Sequence, residues 1–169
     1  MDAYSTIDLI KFLVKAKTNT YASGQKAIKN LDGSKTFKFQ EGNFMYIDNY
    51  FDFNPFLIGH ETVYDDEAGI WVMNYSGNIH YPENKIDKLF ENKINKFLRE
   101  ALQKVEEKNP FRGPTFFEKG NLVYKNEIEG DITSFKGKEH IILGYELKII
   151  HSLEYQGCLN PIIIQRFWK

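Results

Sequence analysis

Hydrophobic positions recur along this chain at two different periods. From Pro82 onward, Ile86, Leu89, Phe90, Ile94, Phe97, Leu98, Ala101, Leu102 and Val105 form one stripe at a spacing of three to four, with lysines, glutamates and asparagines opposite. That pattern predicts an amphipathic helix whose apolar side must be covered by a sheet or another helix. Leu9, Ile10, Leu13 and Val14 predict an earlier helix, capped by Ser5 or Thr6 with Asp8 near its positive end, and fading at 17–19. Elsewhere the period drops to two. Phe37 and Phe39 alternate with Lys38 and Gln40. Phe44, Tyr46, Asp48 and Tyr50 share one face of the next run, and Met45, Ile47 and Phe51 the other, which suits a central strand. Runs at 58–64 and 70–75 follow, the second with Trp71, Met73 and Tyr75 opposite Ile70, Val72 and Asn74.

After the long helix, Asn109-Pro110-Phe111-Arg112-Gly113-Pro114 reads as a sharp stop. Strands are expected at 122–128, 132–135, 140–143 and 145–155. In the last of these, Tyr145, Leu147, Ile149, His151, Leu153 and Tyr155 would line one face. The order is helix, four strands, helix, four strands, then an apolar tail at 161–169. The tail is expected to dock as an edge strand or to bury against a partner. Helices segregated from antiparallel strands make an α+β domain, here one domain over residues 1–169.

The chain also echoes itself. Gly42-Asn43-Phe44-Met45-Tyr46 matches Gly120-Asn121-Leu122-Val123-Tyr124, and Gly59-His60-Glu61 matches Gly137-Lys138-Glu139. Tyr75-Ser76-Gly77 matches Tyr155-Gln156-Gly157, and Phe12-Leu13 with Ala16 matches Phe97-Leu98 with Ala101. Two halves, 5–80 and 83–160, would then pack about a pseudo-two-fold axis as a curved antiparallel sheet, with a cleft where equivalent residues converge. The competing reading is a chance likeness between two aromatic-rich stretches.

Composition narrows the function classes. Fourteen Phe, ten Tyr and two Trp weight the chain towards aromatics, and the formal net charge is only −1. So even a balance gives no broad electrostatic footprint for nucleic acid. Cys158 is the single cysteine, which excludes an internal disulfide and fits a reducing compartment. There is no basic segment followed by an apolar run at the start, and no apolar stretch of bilayer length. A soluble, cytoplasmic protein is expected.

Several runs together resemble a bacterial domain family of unknown function. They are Thr20-Tyr21-Ala22-Ser23-Gly24, Gln40-Glu41-Gly42-Asn43-Phe44, Trp71-x-Met73-Asn74-Tyr75-x-Gly77, Phe111-Arg112-Gly113-Pro114 and Phe135-x-Gly137-x-Glu139. That family occurs alone or behind XRE-type helix-turn-helix regulators. The resemblance implies an effector-like half without its DNA reader, since too few residues precede Phe12 for such a module. It implies no catalytic signature.

Glu61 and Glu139 are the candidates for acid–base work, because paired carboxylates can divide the two roles when their surroundings separate their pKa values. Each is expected at the start of a strand, and each is otherwise a solvated turn residue or half of an ion pair. Tyr46, Asp48, Trp71, Asn74, Tyr75, Tyr124 and Tyr155 are candidate ligand contacts, as aromatic walls carrying a few polar groups are what a small-molecule pocket offers. Tyrosines equally suit half-buried sheet faces. Arg112, between two prolines, would clamp a ligand anion or tie its loop to an acid. His60 and His140 adjoin the two glutamates, but strand neighbours point to opposite faces, and no histidine or cysteine spacing matches zinc. No metal and no cofactor is expected, and Cys158 is expected to be structurally buried. The functional expectation is a non-catalytic, sensor-like module holding a small organic ligand or a peptide. The alternatives are a hydrolase or isomerase using Glu61 and Glu139, and an interaction module forming a homodimer through the tail.

Overall fold

The computed structural model describes residues 5–82 and 85–162. Helix α1 spans Thr6–Asn19, and its start follows from side-chain chemistry. The Ser5 hydroxyl accepts the Asp8 N–H while the Asp8 carboxylate accepts the Ser5 N–H, a reciprocal capping box. A single 3-10 turn, Tyr21–Ser23, closes on Gly24 in the left-handed region at φ 77°. Strands β1 (Ile28–Lys29), β2 (Lys35–Glu41), β3 (Phe44–Phe53), β4 (Phe56–Asp65) and β5 (Ala68–Ile79) then run as a meander. Helix α2 covers Lys88–Leu102. A second meander follows: β6 (Phe116–Lys119), β7 (Leu122–Asp131), β8 (Ser134–Leu143) and β9 (Lys148–Leu159).

All nine strands form one antiparallel sheet in the order β1-β2-β3-β4-β5-β9-β8-β7-β6, so the fold is α+β, with the two meanders meeting at the β5–β9 pair. Both edges end in short strands, which limits the unpaired backbone they present. Partners across an antiparallel ladder share a face. Asp48, Glu61, Met73, Gly157 and Phe135 therefore make one inward row, and Tyr50, Gly59, Tyr75, Tyr155 and Gly137 the next. Leu9, Phe12, Leu13 and Ala16 of α1 pack on that face beside Phe44, Trp71 and Met73. Ile94, Phe97, Leu98 and Ala101 of α2 pack on it beside Leu122, Tyr124 and Ile141. No helix among the described residues is long and apolar enough to cross a membrane.

Four expectations change. The second helix begins at Lys88 rather than Pro82, because the Asp87 carboxylate accepts the Leu89 and Phe90 N–H groups and fixes the first turn there. Ile86 and Leu89 consequently drop out of the stripe and are exposed, while Val105 stays buried beyond the helix end. The runs at 132–135 and 140–143 belong to one strand, β8, and the turn before it, and the short edge strands β1 and β6 are additions to the four-plus-four order. Glu61 and Glu139 accordingly sit inside strands, not at their starts.

The last strand starts later than its alternation suggests. Tyr145 and Leu147 lie in an exposed turn, with Leu147 at φ 51°. A register shift between Ile141 and Ile142 then buries both Ile150 and His151 and leaves Ile149 exposed. Cys158 is exposed on the outer face of β9 rather than buried. Most of the apolar tail, 163–169, lies outside the described residues.

Candidate functional site

The covered face of the sheet carries an unusual load of polar groups. Lys17, Asp48, Glu61, Arg112, Asn126, Glu139 and His151 are all buried there. Burying so many charges is costly unless each is paired and hydrogen-bonded, and the pairing is extensive.

On the second meander, Glu139 is wholly buried in β8. Arg112 meets it with two parallel bonds, Nε to Oε2 at 3.1 Å and Nη2 to Oε1 at 2.7 Å. The Tyr124 hydroxyl donates to Oε2 at 2.6 Å, and His151 Nε2 stands 3.6 Å from Oε1. Burial pushes the Glu139 carboxyl up, but Arg112 and His151 outweigh it and hold the group far below the usual carboxylate range. Arg112 is placed by its loop. Phe111 stacks on Phe135 at 3.8 Å, Gly113 N–H donates to the Tyr124 hydroxyl at 3.0 Å, and the Gly113 carbonyl accepts from Asn126 at 2.9 Å. The Tyr155 hydroxyl donates to Asn126 at 2.8 Å.

On the first meander, the Lys17 ammonium of α1 reaches Glu61 and lies 5.8 Å and 5.6 Å from the Tyr46 and Trp71 ring centres. Burial pulls the Lys17 pKa down against the opposing pull of Glu61. Asp48, the register partner of Glu61, accepts the Tyr75 hydroxyl at 2.6 Å. It has no salt-bridge partner among the described residues. Burial first, and the nearby Glu61 second, raise its carboxyl to about 7. Burial likewise pushes Tyr46, Tyr75 and Tyr124 well above their ordinary range, so their hydroxyls remain donors at neutral pH.

A raised carboxyl has a definite effect on stability. Between about pH 4 and about pH 7 the folded protein keeps a proton on Asp48 that the unfolded chain has released, so the folded state binds more protons. Its contribution is complete at low pH and is lost as pH rises through about 7. Asp48→Asn is expected to flatten the melting temperature across that window, measured in melts from about pH 4 to about pH 8. Parallel wild-type and variant profiles would contradict it.

Between these groups and the helices lies a cavity of about 150 Å³. Its floor is Tyr46, Asp48, Glu61 and Tyr75, with Lys17, Arg112 and His151 at the sides and Arg99 and Leu98 of α2 above. Of the residues read from the sequence, Tyr46, Asp48, Glu61, Tyr75 and Arg112 line it. Tyr124, Tyr155 and Glu139 lie in the adjoining network, and Trp71 is packed in the core against Phe135. Asn74 is elsewhere: it is exposed on the opposite face, beside His60 and Gln156. No cluster of histidine, cysteine or carboxylate side chains among the described residues could hold a metal ion.

Lys17, Arg99 and His151 were not read as site residues. Lys17 had a legible signal, since it falls four residues after Leu13 on the buried stripe of α1. A charge on an apolar stripe implies a buried counter-charge. His151 had the same kind of signal, falling among Ile149, Leu153 and Tyr155 on one strand face, and Arg99 had none.

Residues 48–159 match the model of a family described as "Domain of unknown function (DUF5680)", and the chain belongs to that family. No curated protein and no solved structure matches the chain.

Proposed function

From membership of this family and the geometry of the covered face, we propose that the chain is a non-catalytic binding module, holding one small organic molecule in the cavity beneath its two helices. One observation carries the reading: buried ionisable and tyrosyl side chains, most of them paired with one another, also line an open space beneath the helices. At about 150 Å³ the space is smaller than the pockets that take drug-sized ligands and is on the scale that admits a single benzene ring. A metabolite of that scale fits.

The module is built from two related halves meeting at the β5–β9 seam. Support comes from position-by-position agreement. β3, β4 and β5 have the lengths of β7, β8 and β9, and the register shifts at Val63/Tyr64 and again at Ile141/Ile142. Tyr46, Asp48, Gly59, Glu61 and Tyr75 stand where Tyr124, Asn126, Gly137, Glu139 and Tyr155 stand. The halves have then diverged. In the second half Arg112 of the loop after α2 meets Glu139, and in the first half Lys17 of α1 meets Glu61.

Binding is favoured over catalysis by a glutamate pair. Both oxygens of Glu139 are engaged by Arg112, and Glu139 does not line the cavity. The likeness of the chain's motifs to domains found behind helix-turn-helix readers favours sensing, by analogy alone.

A thermal-shift screen of metabolites tests the proposal. A ligand at about a hundredfold over its Kd adds about 2.7 kcal/mol. For a chain of this size that raises the melting temperature by roughly 5–10 °C. Melting temperatures that stay flat across a broad metabolite library would refute it.

A further inference from the structure

We propose that the molecule held in this cavity is a small amino-carboxylate, its protonated amine seated against Asp48 and its anionic group against Arg99. The inference rests on the binding reading above and adds the chemical class.

It follows from a charge count. The buried network holds three carboxyls, Asp48, Glu61 and Glu139, against two permanent partners of opposite sign, Lys17 and Arg112. Lys17 is committed to Glu61 and Arg112 to Glu139. Asp48 is the remainder: among the described residues its side chain is met by a neutral donor, the Tyr75 hydroxyl, and by no cation. The other acids on the cavity wall have cations of their own: Lys35 for Asp52 at 2.8 Å and Lys88 for Glu91 at 2.7 Å. Unliganded, Asp48 balances the floor by keeping its proton up to about pH 7; a compact ammonium seated against it would let it ionise instead. Tyrosine rings on either side suit an ammonium as well.

The upper wall has the converse imbalance. Arg99 is half-buried, lines the cavity from α2 and makes no salt bridge among the described residues. A guanidinium with no carboxylate of its own is a fork ready for one. A third observation points the same way. His151 is 4% exposed and lines the cavity; its Nε2 stands 3.6 Å from Glu139, beyond hydrogen-bond distance, and neither ring nitrogen has a hydrogen-bond partner among the described residues. Buried polar atoms of that kind are rare in folded proteins unless something else satisfies them.

The test uses the full chain and isothermal titration with a defined panel. The panel is the common L-α-amino acids and the unbranched ω-amino acids up to 6-aminohexanoate. Each is set against the amine without its carboxylate and the acid without its amine. At least one amino acid is expected to bind, with each one-charge analogue about tenfold weaker or more. Asp48→Asn and Arg99→Met are each expected to abolish that preference. Asp48→Asn keeps an acceptor for Tyr75, as Asn126 does for Tyr155, so the fold is retained. If the bare amine or bare acid binds as well as the amino acid, the inference is wrong. It is also wrong if no amino acid binds while another metabolite raises the melting temperature, an outcome that leaves the binding reading standing. Silence from both panel and library removes both.

Discussion

Glu139→Ala is expected to destabilise the fold by about 3–5 kcal/mol, the cost of leaving a buried charge without its counter-ion. For a chain of this size that corresponds to a fall in melting temperature of roughly 10 °C. Arg112 would keep its charge, buried, with both bonds to Glu139 lost, and the Tyr124 hydroxyl would lose its acceptor. The cost therefore comes from the orphaned partners more than from the glutamate. Replacing Arg112 and Glu139 together with methionine is expected to recover most of the loss, since apolar side chains of similar volume pack without a desolvation penalty. Urea unfolding of the two single variants and the double variant gives the coupling directly. An exposed pair supplies the contrast. Lys119 and Glu100 approach to 2.9 Å in solvent, and Glu100→Ala is expected to change stability by at most about 1 kcal/mol. A Glu139→Ala variant no less stable than Glu100→Ala would show that the buried pair is not a structural anchor.

The Glu139 carboxyl also sets an acid limit. Its pKa is depressed in the fold, so its stabilisation is in place above the ordinary carboxylate range and is lost as pH falls below that range. Asp48 has the opposite slope. The two carboxyls, similar in burial and in each accepting a tyrosine hydroxyl, differ because Glu139 has a guanidinium against it and Asp48 has a second carboxyl, Glu61, beside it.

Much of this arrangement is legible in the sequence. The alternation at 44–51 and 70–75 puts Tyr46, Asp48 and Tyr75 on one face, and the structure keeps them there. The long stripe after Pro82 is a helix because its period leaves no other way to bury it. What periodicity does not carry is the meaning of a polar residue inside a strand. The run Lys136-Gly137-Lys138-Glu139 reads as a break because charges and glycine both argue against a strand. In the fold the lysines face outward, Gly137 makes room for the Tyr155 ring, and Glu139 points into the core at its ion pair. That pairing is set by Arg112, 27 residues away, and no local pattern encodes it. Asn74 fails for the complementary reason. It shares a run with Trp71 and Tyr75, but a period of two sends it to the far face.

The seam between the two meanders should be the part of the sheet least tolerant of an added methyl group. Gly157 pairs with Met73, and Gly77 with Leu153, on the inward face of β5 and β9. A Cβ at Gly157 would fall on the Val72 carbonyl and the Phe135 ring, and within 3.0 Å of the Met73 Cα. One at Gly77 would fall on the Ser152 carbonyl and within 2.7 Å and 2.8 Å of the Leu153 Cβ and Cα. Most of these neighbours are backbone of the adjacent strand, which no rotamer change can move. Relief requires the two strands to separate, and with them the two halves whose groups close the cavity. Gly157→Ala and Gly77→Ala are each expected to cost about 3 kcal/mol, the upper part of the range for overpacking. Wherever the folded form persists, ligand affinity should fall with stability, because Tyr75 and His151 are carried by these same two strands. Gly69 is the fitting control: it lies in β5, its φ is not in the left-handed region, and a Cβ there would find only Tyr64 Cε1 at 3.9 Å. Gly69→Ala is expected to leave stability within about 0.5 kcal/mol. Chemical denaturation of all three variants decides the matter. Equal stabilities across the set would mean that the close approach of β5 and β9 is not what the seam glycines are there to allow.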